Sequence, residues 1–363
     1  MIVSQININR FKSIKELELL LKRINVLIGP NGAGKSNFIQ FFNLLNNIVS
    51  QNLQNYVTQN GGADSFLYFG RKFTESFSGF LSFGWNAYQF ELVATNDNNF
   101  YFALEQTIYQ NPVHDGVSKR DISDGNRETN LIKQYKMDQK EGVVYHILNS
   151  MTRWRVYHFH DTSTTAKVKQ EGDINDNRSL RRDASNLAAF LYLLQEKHND
   201  YFLRIENTIR LVAPFFDKFQ LQPLELNKEK IRLEWKHVGS DEYFNANHLS
   251  DGTLRMICLI TLLLQPNLPG TIIIDEPELG LHPAAIELLT SLIKSVAANN
   301  KQVICSTQSV TFLNYFEPED IIVVDRNNGE SLFKRLDKST LTEWLNEYAI
   351  GELWEKNVLG GRP

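Results

Sequence analysis

The sequence predicts an α/β fold in which a parallel sheet core is joined to a mixed antiparallel β lobe and a smaller helical lobe. Strand-like and helix-like segments alternate after residue 249, which is typical of a parallel sheet flanked by helices. Short alternating runs before residue 106 indicate antiparallel strands, and apolar residues recur at helical spacing within 184–213. With 363 residues, 42% of them hydrophobic, the chain is long enough to bury one large core or two lobes that share one.

We divide the chain into three parts: an N-terminal part at 1–160, a helical lobe with return strands at 161–245, and a C-terminal part at 246–363. In the first part, strands are predicted at 2–9, 16–21, 24–28, 80–85, 88–94, 100–106 and 154–159, a helix at 37–49 and a long polar loop at 112–142. The second part contains two helices within 184–213 and strands at 219–226 and 231–236. In the third part, helices up to 264 and at 283–298 alternate with strands at 272–274, 303–306 and 321–324.

Charge and cysteine usage exclude several classes of protein. The 38 basic and 42 acidic residues give a net charge of −4, so no global positive excess favours nucleic acid or anionic lipid, although a local basic patch remains open. Cys258 and Cys305 lie in apolar runs, where thiols behave as small buried hydrophobes. Because no signal peptide or membrane-spanning run is present, we expect a cytoplasmic protein without a membrane partner.

A glycine-rich segment, Gly29-Pro-Asn31-Gly32-Ala33-Gly34-Lys35-Ser36, fits the phosphate-loop pattern between a predicted strand and the helix that includes Asn37. Glycines allow backbone N–H groups to close around phosphates, and a helix N-terminus adds a positive dipole. We expect Lys35 to reach the β- and γ-phosphates of ATP and Ser36 to bind Mg²⁺. The alternative is a chance glycine-rich turn before a helix.

Two carboxylates, Asp275 and Glu276, end the apolar strand that follows Thr271. Ligands bind at the carboxyl edge of a parallel sheet, so both side chains are candidates for chemistry. Asp275 is expected to act on Mg²⁺, directly or through its water, and Glu276 to accept a proton from the attacking water. The alternative is two acids that simply begin a loop.

The segment Leu249-Ser250-Asp251-Gly252-Thr253 precedes a long apolar helix. Ser250 and Gly252 would present a hydroxyl and bare backbone at a helix N-terminus, which makes a second anion site. Taken alone, Ser-Asp-Gly is also a good helix N-cap and turn. The order of the three motifs favours the anion site.

In this order, the phosphate loop, LSDGT and IIIDEPELGLHP resemble the RecF/SMC-like branch of the ABC-ATPase superfamily. The resemblance covers roughly 1–49 and 245–325, with looser matches at 154–163 and 183–195. It implies an ABC-type ATPase fold and a turn, Phe11-Lys12-Ser13, near the nucleotide base and α-phosphate. It also implies that Ser250 and Gly252 of one subunit contact the γ-phosphate held by Lys35 of another, in an ATP-dependent homodimer.

Two positions depart from the pattern of relatives or are ambiguous. Gln308 stands where many ABC ATPases have a switch histidine, and an amide can donate to the γ-phosphate but cannot relay a proton. This favours a slow switch over a fast motor. His282 precedes a proline at a helix start, so it either caps the helix or acts across the dimer interface.

Weaker features are interpreted structurally. His158, His160 and Asp161 lack a third spaced metal ligand, and structure is the favoured explanation. Trp344, Tyr348 and Trp354 suggest that the C-terminal segment docks on the core or on a partner. RecF/SMC-like relatives with their own nuclease carry a TOPRIM domain at this end, and we expect the chain to stop too soon to hold one.

The resulting hypothesis is an ABC-type ATPase that hydrolyses ATP slowly and acts on DNA or on a separately encoded effector such as a TOPRIM-type nuclease, in anti-phage defence. The alternatives are an ATPase of DNA repair or chromosome maintenance, and a nucleotide-sensing scaffold with negligible hydrolysis. A transporter subunit is disfavoured because it would need a membrane partner.

Overall fold

The computed structural model describes residues 2–110, 116–138 and 142–361. The strands are β1 Gln5–Phe11, β2 Ile14–Leu20, β3 Ile24–Ile28, β4 Ser76–Phe83, β5 Asn86–Ala94, β6 Phe100–Gln110, β7 Val117–Asp121, β8 Trp154–Tyr157, β9 Gly172–Asp173, β10 Phe216–Phe219, β11 Lys230–Ile231, β12 Glu234–His237, β13 Tyr243–Asn245, β14 Thr271–Asp275, β15 Gln302–Ser306, β16 Ile321–Asn327 and β17 Glu330–Arg335. The helices are α1 Lys35–Val49, α2 Leu53–Gln59, α3 Leu131–Met137, α4 Val143–Met151, α5 Leu187–Lys197, α6 Asn199–Val212, α7 Asp251–Leu264, α8 Pro283–Ala298, α9 Val310–Leu313, α10 Lys338–Leu345 and α11 Ile350–Glu355.

A six-stranded sheet with the order β17-β16-β3-β15-β14-β8 forms the centre of the molecule. Adjacent strands of this sheet are parallel, except that the edge strand β17 is antiparallel to β16. Successive residues of β3 face opposite cores, with Val26 in one and Leu27 in the other. Strands buried on both faces need continuous apolar runs, which is why Ile272-Ile273-Ile274 is a strand. The predicted parallel core is confirmed.

A second six-stranded sheet, β2-β1-β4-β5-β6-β7, is entirely antiparallel and shares its core with α1 and α4. Its interior is aromatic, with Phe11 packing edge-on against Phe41 at 5.2 Å between ring centroids. A Cβ at Gly79 would lie 2.6 Å from the Phe90 ring, so glycine is required for this packing. The predicted antiparallel β lobe is confirmed.

The other face of the parallel sheet is covered by α5 to α8 and by two small antiparallel sheets, β10-β12-β13 and β9-β11. The helices α5 and α6 coincide with the helical pattern predicted within 184–213. The mixed α/β architecture with two lobes is the predicted fold class. The division at residues 160 and 245 remains a prediction.

Two predictions about segments are wrong. Residues 112–142 do not form one long loop, because β7 pairs with β6 and α3 follows. Residues 112–115 and 139–141 of this segment lie outside the described part of the chain. All five residues of β7 are exposed, so no apolar alternation marks it. The strand predicted at 219–226 is observed at Phe216–Phe219 instead. It does not continue to 226, because Pro223 has no N–H to donate to a neighbouring strand and a bridge between Leu224 and Asn227 closes a turn.

The C-terminal helices pack on the parallel sheet side of the molecule. Trp354 is fully buried and its indole N–H donates to the Gly361 carbonyl at 2.5 Å, while Trp344 is 46% exposed. Helix α11 therefore supplies the largest buried side chain of the segment, and α10 docks through Leu341. No helix within the described ranges is long and apolar enough to cross a membrane.

Candidate functional site

The phosphate loop connects β3 to α1, as the sequence pattern predicts. Gly32 and Gly34 adopt φ values of 78° and 121°, in the region that favours glycine. A Cβ at Gly34 would lie 2.1 Å from the Ser331 hydroxyl, so this glycine also allows close packing. The glycines thus allow the backbone conformation of the loop and its close packing on β17, and successive backbone N–H groups in such a loop can bind a phosphate group.

Lys35 is the first residue of α1 and is 6% exposed. Its ammonium donates to the carbonyl of Gly29 at 2.5 Å and to that of Pro30 at 3.2 Å. Burial lowers the pKa of Lys35, and the carboxylates of Glu276, Asp275 and Glu278 oppose this by raising it. The cation thus lies inside the loop, facing the acids at the end of β14.

The carboxyl ends of β14 and β15 bring the two predicted acids to Ser306. The Ser306 hydroxyl donates to Asp275 and accepts from the backbone N–H of Glu276 at 3.2 Å. Glu276 has φ 43°, an uncommon conformation for this residue type, and functional sites often store such strain. The Gln308 amide donates to the Glu276 carboxylate, so the two residues predicted to be catalytic are in direct contact.

A third carboxylate, Glu278, also lies in the site, although the sequence patterns did not predict it. It is 7% exposed, and one oxygen accepts from the Thr307 hydroxyl at 2.5 Å and from the Gln308 N–H at 3.3 Å. The other oxygen has no hydrogen-bond partner within the described residues. Burial raises the pKa of Glu278. The side chain joins the loop after β14 to the loop after β15.

Ser36 and Asp275 line one cavity, together with His158 and Arg182. Hydroxyl and carboxylate oxygens are the ligands that Mg²⁺ prefers, and Mg²⁺ commonly takes one or two of them plus phosphate oxygens. The donor set therefore fits a Mg²⁺ ion carried by a nucleotide. Ser36 itself is exposed, so its hydroxyl is open to a ligand that enters this cavity.

The Lys12-Ser13 turn is tied to the phosphate loop by a hydrogen-bond network. Ser13 shares a hydrogen bond of 2.6 Å with Ser331, and the Asn37 amide donates to Ser13 at 2.6 Å. Ser331 in turn donates to the Ala33 carbonyl at 2.5 Å. Ser331 lies on β17, and no local pattern in the sequence marks it as part of the loop.

Two basic residues flank this network. Lys12 has φ 51°, and its ammonium lies 5.0 Å from the centre of the Phe66 ring. Burial lowers the pKa of Lys12. On the other side, the Arg326 guanidinium donates to the Gly32 carbonyl at 3.1 Å, while Asn31 is exposed. The Arg326 guanidinium thus contacts the phosphate loop directly, whereas the Lys12 ammonium lies on the Phe66 ring.

Ser250, Gly252 and His282 line a different cavity, which includes none of the phosphate-loop residues in the described structure. The Ser250 hydroxyl accepts from the Thr253 N–H at 3.2 Å and caps α7, and the His282 ring accepts from the Ala284 N–H at 3.3 Å and caps α8. A Cβ on Gly252 would lie 2.4 Å from the Gly280 carbonyl oxygen. The capping roles are thus present in the monomer, and the contact with a second nucleotide stays a prediction.

The histidines after β8 are brought to the end of β14. Donor atoms of His158, His160 and Asp275 all lie within 4.8 Å of one another. Asp161, which is near them in the sequence, instead accepts from the Ser163 hydroxyl at 2.7 Å in a turn. Burial lowers the pKa of His158, with Asp275 opposing the shift.

The fold and the site together define a RecF/SMC-like ATPase of the ABC type. The chain belongs to the family described as "AAA domain, putative AbiEii toxin, Type IV TA system", whose model matches residues 24–314 and thus more than half of the chain. Nucleotide binding is a property that this class implies for the phosphate loop.

Individual relatives are distant. The OLD nuclease of Thermus scotoductus is 22% identical over 96% of the chain and 67% of its own length. The energy-coupling factor transporter ATP-binding protein EcfA2 of Staphylococcus aureus is 28% identical, over 26% of the chain and 34% of its own length. The chain therefore spans two thirds of one relative and about a third of the other.

Solved SMC head domains share the fold. One, from Pyrococcus furiosus, has an extended coiled coil and is bound to the C-terminal domain of ScpA; it has a TM-score of 0.55 and 14% identity over 95% of the chain and 98% of its own length. Another, bound to the C-winged helix domain of ScpA, has a TM-score of 0.54 and 15% identity over 94% of the chain and 99% of its own. At this identity, the likeness concerns the fold alone.

Proposed function

We propose that the protein binds ATP with Mg²⁺ and hydrolyses it slowly within a homodimer that sandwiches two nucleotides. The observation that carries this proposal is the contact between the Gln308 amide and the Glu276 carboxylate, beside the buried Lys35. A carboxylate so placed can accept a proton from water, and the amide that holds it cannot relay that proton further. The pair therefore favours hydrolysis at a low rate.

Each residue of the loop has a defined task in this proposal. Backbone N–H groups around Gly32 and Gly34 bind phosphate oxygens, and Lys35 exchanges its carbonyl acceptors for the β- and γ-phosphates. Ser36 and Asp275 would hold Mg²⁺, which when bound neutralises charge on the phosphates. Glu276 orients the attacking water and takes its proton.

The dimer is proposed from the exposed position of Ser250 and the cavity it shares with Gly252. These groups lie at the N-terminus of α7, where the helix dipole favours an anion. Within one chain, Ser250 and Gly252 line a cavity separate from that of Ser36. A γ-phosphate bound at the phosphate loop of a second chain is the ligand that would contact Ser250 and Gly252.

For the biological role, we propose a switch that acts on DNA or on a separately encoded nuclease. The similarity of the chain to an OLD nuclease over 96% of its length supports the second version. An ATPase of DNA repair or chromosome maintenance is the alternative, supported by the fold of the SMC heads. DNA-stimulated hydrolysis with salt-dependent affinity would favour DNA as the target. A nuclease that copurifies with the protein and becomes active only with ATP would favour the effector.

The test of hydrolysis is Glu276→Gln. We expect single-turnover hydrolysis to fall by about 10²-fold or more, because removing a general base typically costs that much. Binding of a fluorescent ATP analogue should be retained, since the Gln side chain keeps the size of Glu. The matched control is Glu225→Gln at an exposed position. A measurable rate equal to that of the wild type would identify another residue as the base, and negligible hydrolysis by both proteins would identify a nucleotide-sensing scaffold.

The dimer is tested by Ser250→Asp in the Glu276→Gln background. Asp caps helices as well as Ser does, so α7 should keep its stability, but its charge would repel a γ-phosphate. We expect light scattering to show that ATP converts the Glu276→Gln variant into a dimer. Adding Ser250→Asp should abolish dimerisation, while the monomer still binds ATP. Persistent monomers of Glu276→Gln at high concentration with ATP would contradict the sandwich.

A further inference from the structure

The strands β8 and β14 are adjacent and parallel, and their register places side chains from distant parts of the sequence together. Tyr157 pairs with Ile274, so the chain leaves both strands at the same edge of the sheet. The next residues are His158 and Asp275, and His160 follows two positions later. Their donor atoms lie within 4.8 Å of one another, and the two imidazole centroids are 6.3 Å apart.

The backbone that carries the histidines is held firmly. The His158 N–H donates to the Arg182 carbonyl at 2.9 Å. The buried Arg255 guanidinium donates to the carbonyl of Phe159 at 2.9 Å and to that of His160 at 3.1 Å. Metal sites depend on such supporting contacts to orient their ligands. The backbone positions of the two histidines are therefore set by the fold before any ion binds.

The ring nitrogens themselves are available. Within the described residues, neither the His158 nor the His160 ring makes a hydrogen bond, unlike the rings of His237, His248 and His282. One oxygen of Asp275 accepts from Ser306, which leaves the second oxygen for another partner. A neutral imidazole can therefore offer a ring nitrogen to a metal ion without first losing a hydrogen bond to the protein.

We propose that His158, His160 and Asp275 bind a divalent transition-metal ion, such as Mn²⁺, Co²⁺ or Zn²⁺, in the absence of nucleotide. Two imidazoles and one carboxylate suit these ions, whereas Mg²⁺ prefers oxygen ligands alone. Donor atoms at about 2.1 Å from one ion lie roughly 3 to 4 Å apart, so small side-chain rotations close the cluster. The Arg182 side chain lines the same cavity as His158, and its charge lowers the affinity that the carboxylate provides.

The proposed ion would share Asp275 with the nucleotide site, and Ser36 lines the same cavity. The imidazoles would thus bias the metal that accompanies ATP towards transition ions. In this respect the inference rests on the proposed function. Metal binding to the free protein does not depend on hydrolysis, so the two can fail separately.

The test is titration of the nucleotide-free 363-residue chain with Co²⁺, whose visible absorption changes with its ligands. We expect one ion per chain, retained in excess Mg²⁺, and a loss of affinity of about tenfold or more in His158→Ala and in His160→Ala. His198→Ala, at an exposed histidine on another surface, is the matched control. His158→Gln serves as a second variant if the alanine variant does not fold.

Equal Co²⁺ affinity in the double variant His158→Ala/His160→Ala and the wild type would overturn the proposal, as would displacement by an equal concentration of Mg²⁺. A fluorescent ATP analogue separates the two hypotheses. If the wild type binds Co²⁺ through the histidines but binds no nucleotide, the proposed function fails and the metal site stands. If nucleotide binds and Co²⁺ does not, only the metal site fails.

Discussion

Two buried glutamates, Glu105 in the antiparallel sheet and Glu278 beside the phosphate loop, differ in how completely their carboxylate oxygens are hydrogen-bonded. Burial raises the pKa of both carboxyl groups. Glu105 is fully buried and all its acceptor capacity is used, whereas one oxygen of Glu278 has no hydrogen-bond partner within the described residues. In the antiparallel lobe, the carboxylate of Glu105 holds segments of the chain together through hydrogen bonds. Beside the phosphate loop, Glu278 keeps one oxygen that no group in the described residues uses.

The partners of Glu105 come from two separate segments, the strand β5 and residues 126–130. Its donors are the Tyr88 hydroxyl at 2.8 Å, the Thr129 hydroxyl, the Asn126 amide at 3.1 Å and the Asn130 N–H at 3.0 Å. The carboxylate therefore anchors the segment between β7 and α3 to the centre of the sheet. This segment contains few apolar residues, and the hydrogen bonds substitute for a hydrophobic contact.

The largest effect on stability is expected from Glu105→Ala. The substitution leaves four donors without their acceptor, two of them on the buried side chains of Tyr88 and Thr129. We expect the free energy of unfolding to fall by about 3 kcal/mol, measured by urea denaturation. Binding of a fluorescent ATP analogue to the folded fraction should be unchanged, because the phosphate loop contacts none of these groups.

The matched control for this substitution is Glu91→Ala on β5. Glu91 is only partly buried and accepts from the Ser76 hydroxyl at 2.8 Å, so its loss should cost less than about 1 kcal/mol. Equal destabilisation by the two substitutions would show that Glu105 acts as an ordinary strand residue. Such a result would remove the difference between the fully hydrogen-bonded Glu105 and the partly unpartnered Glu278.

The motifs that the sequence revealed are local. Phosphate-loop glycines, Lys35 and the acids at 275–276 each follow from a short pattern whose mechanism is known. Helices and strands with strong periodicity, such as α6 and α8, were also predicted near their observed bounds. Polar elements were missed, because the exposed strand β7 has no apolar face to set a pattern.

The contacts that the sequence did not reveal depend on strand order. His158 meets Asp275 because β8 lies beside β14, and Ser331 reaches the phosphate loop because β17 is the edge strand next to β16. Local patterns do not specify which parallel strands become neighbours. Burial of Glu278 likewise depends on the loop after β15, which supplies Thr307.

A smaller effect, and the sharpest contrast with Glu105, is expected from Glu278→Gln. Because burial raises the pKa of Glu278, the folded state binds its proton more tightly than the unfolded state does. The stability from the neutral carboxyl is complete below the unfolded pKa of about 4.3 and is lost as pH rises through the raised native pKa. Gln keeps one acceptor for Thr307 and does not titrate.

We therefore expect the stability of Glu278→Gln, relative to the wild type, to improve as pH rises from about 4 to 7, by less than about 2 kcal/mol. Urea denaturation of both proteins at several pH values measures this difference directly. Glu105→Gln is the comparison, because its amide N–H groups would face donors from Asn126 and Asn130, so it should be less stable than the wild type at every pH. A stability difference between Glu278→Gln and the wild type that does not change with pH would mean that the carboxyl of Glu278 has the same pKa in the folded and unfolded states. Burial of its unpartnered oxygen would then not alter the charge that Glu278 carries beside the phosphate loop.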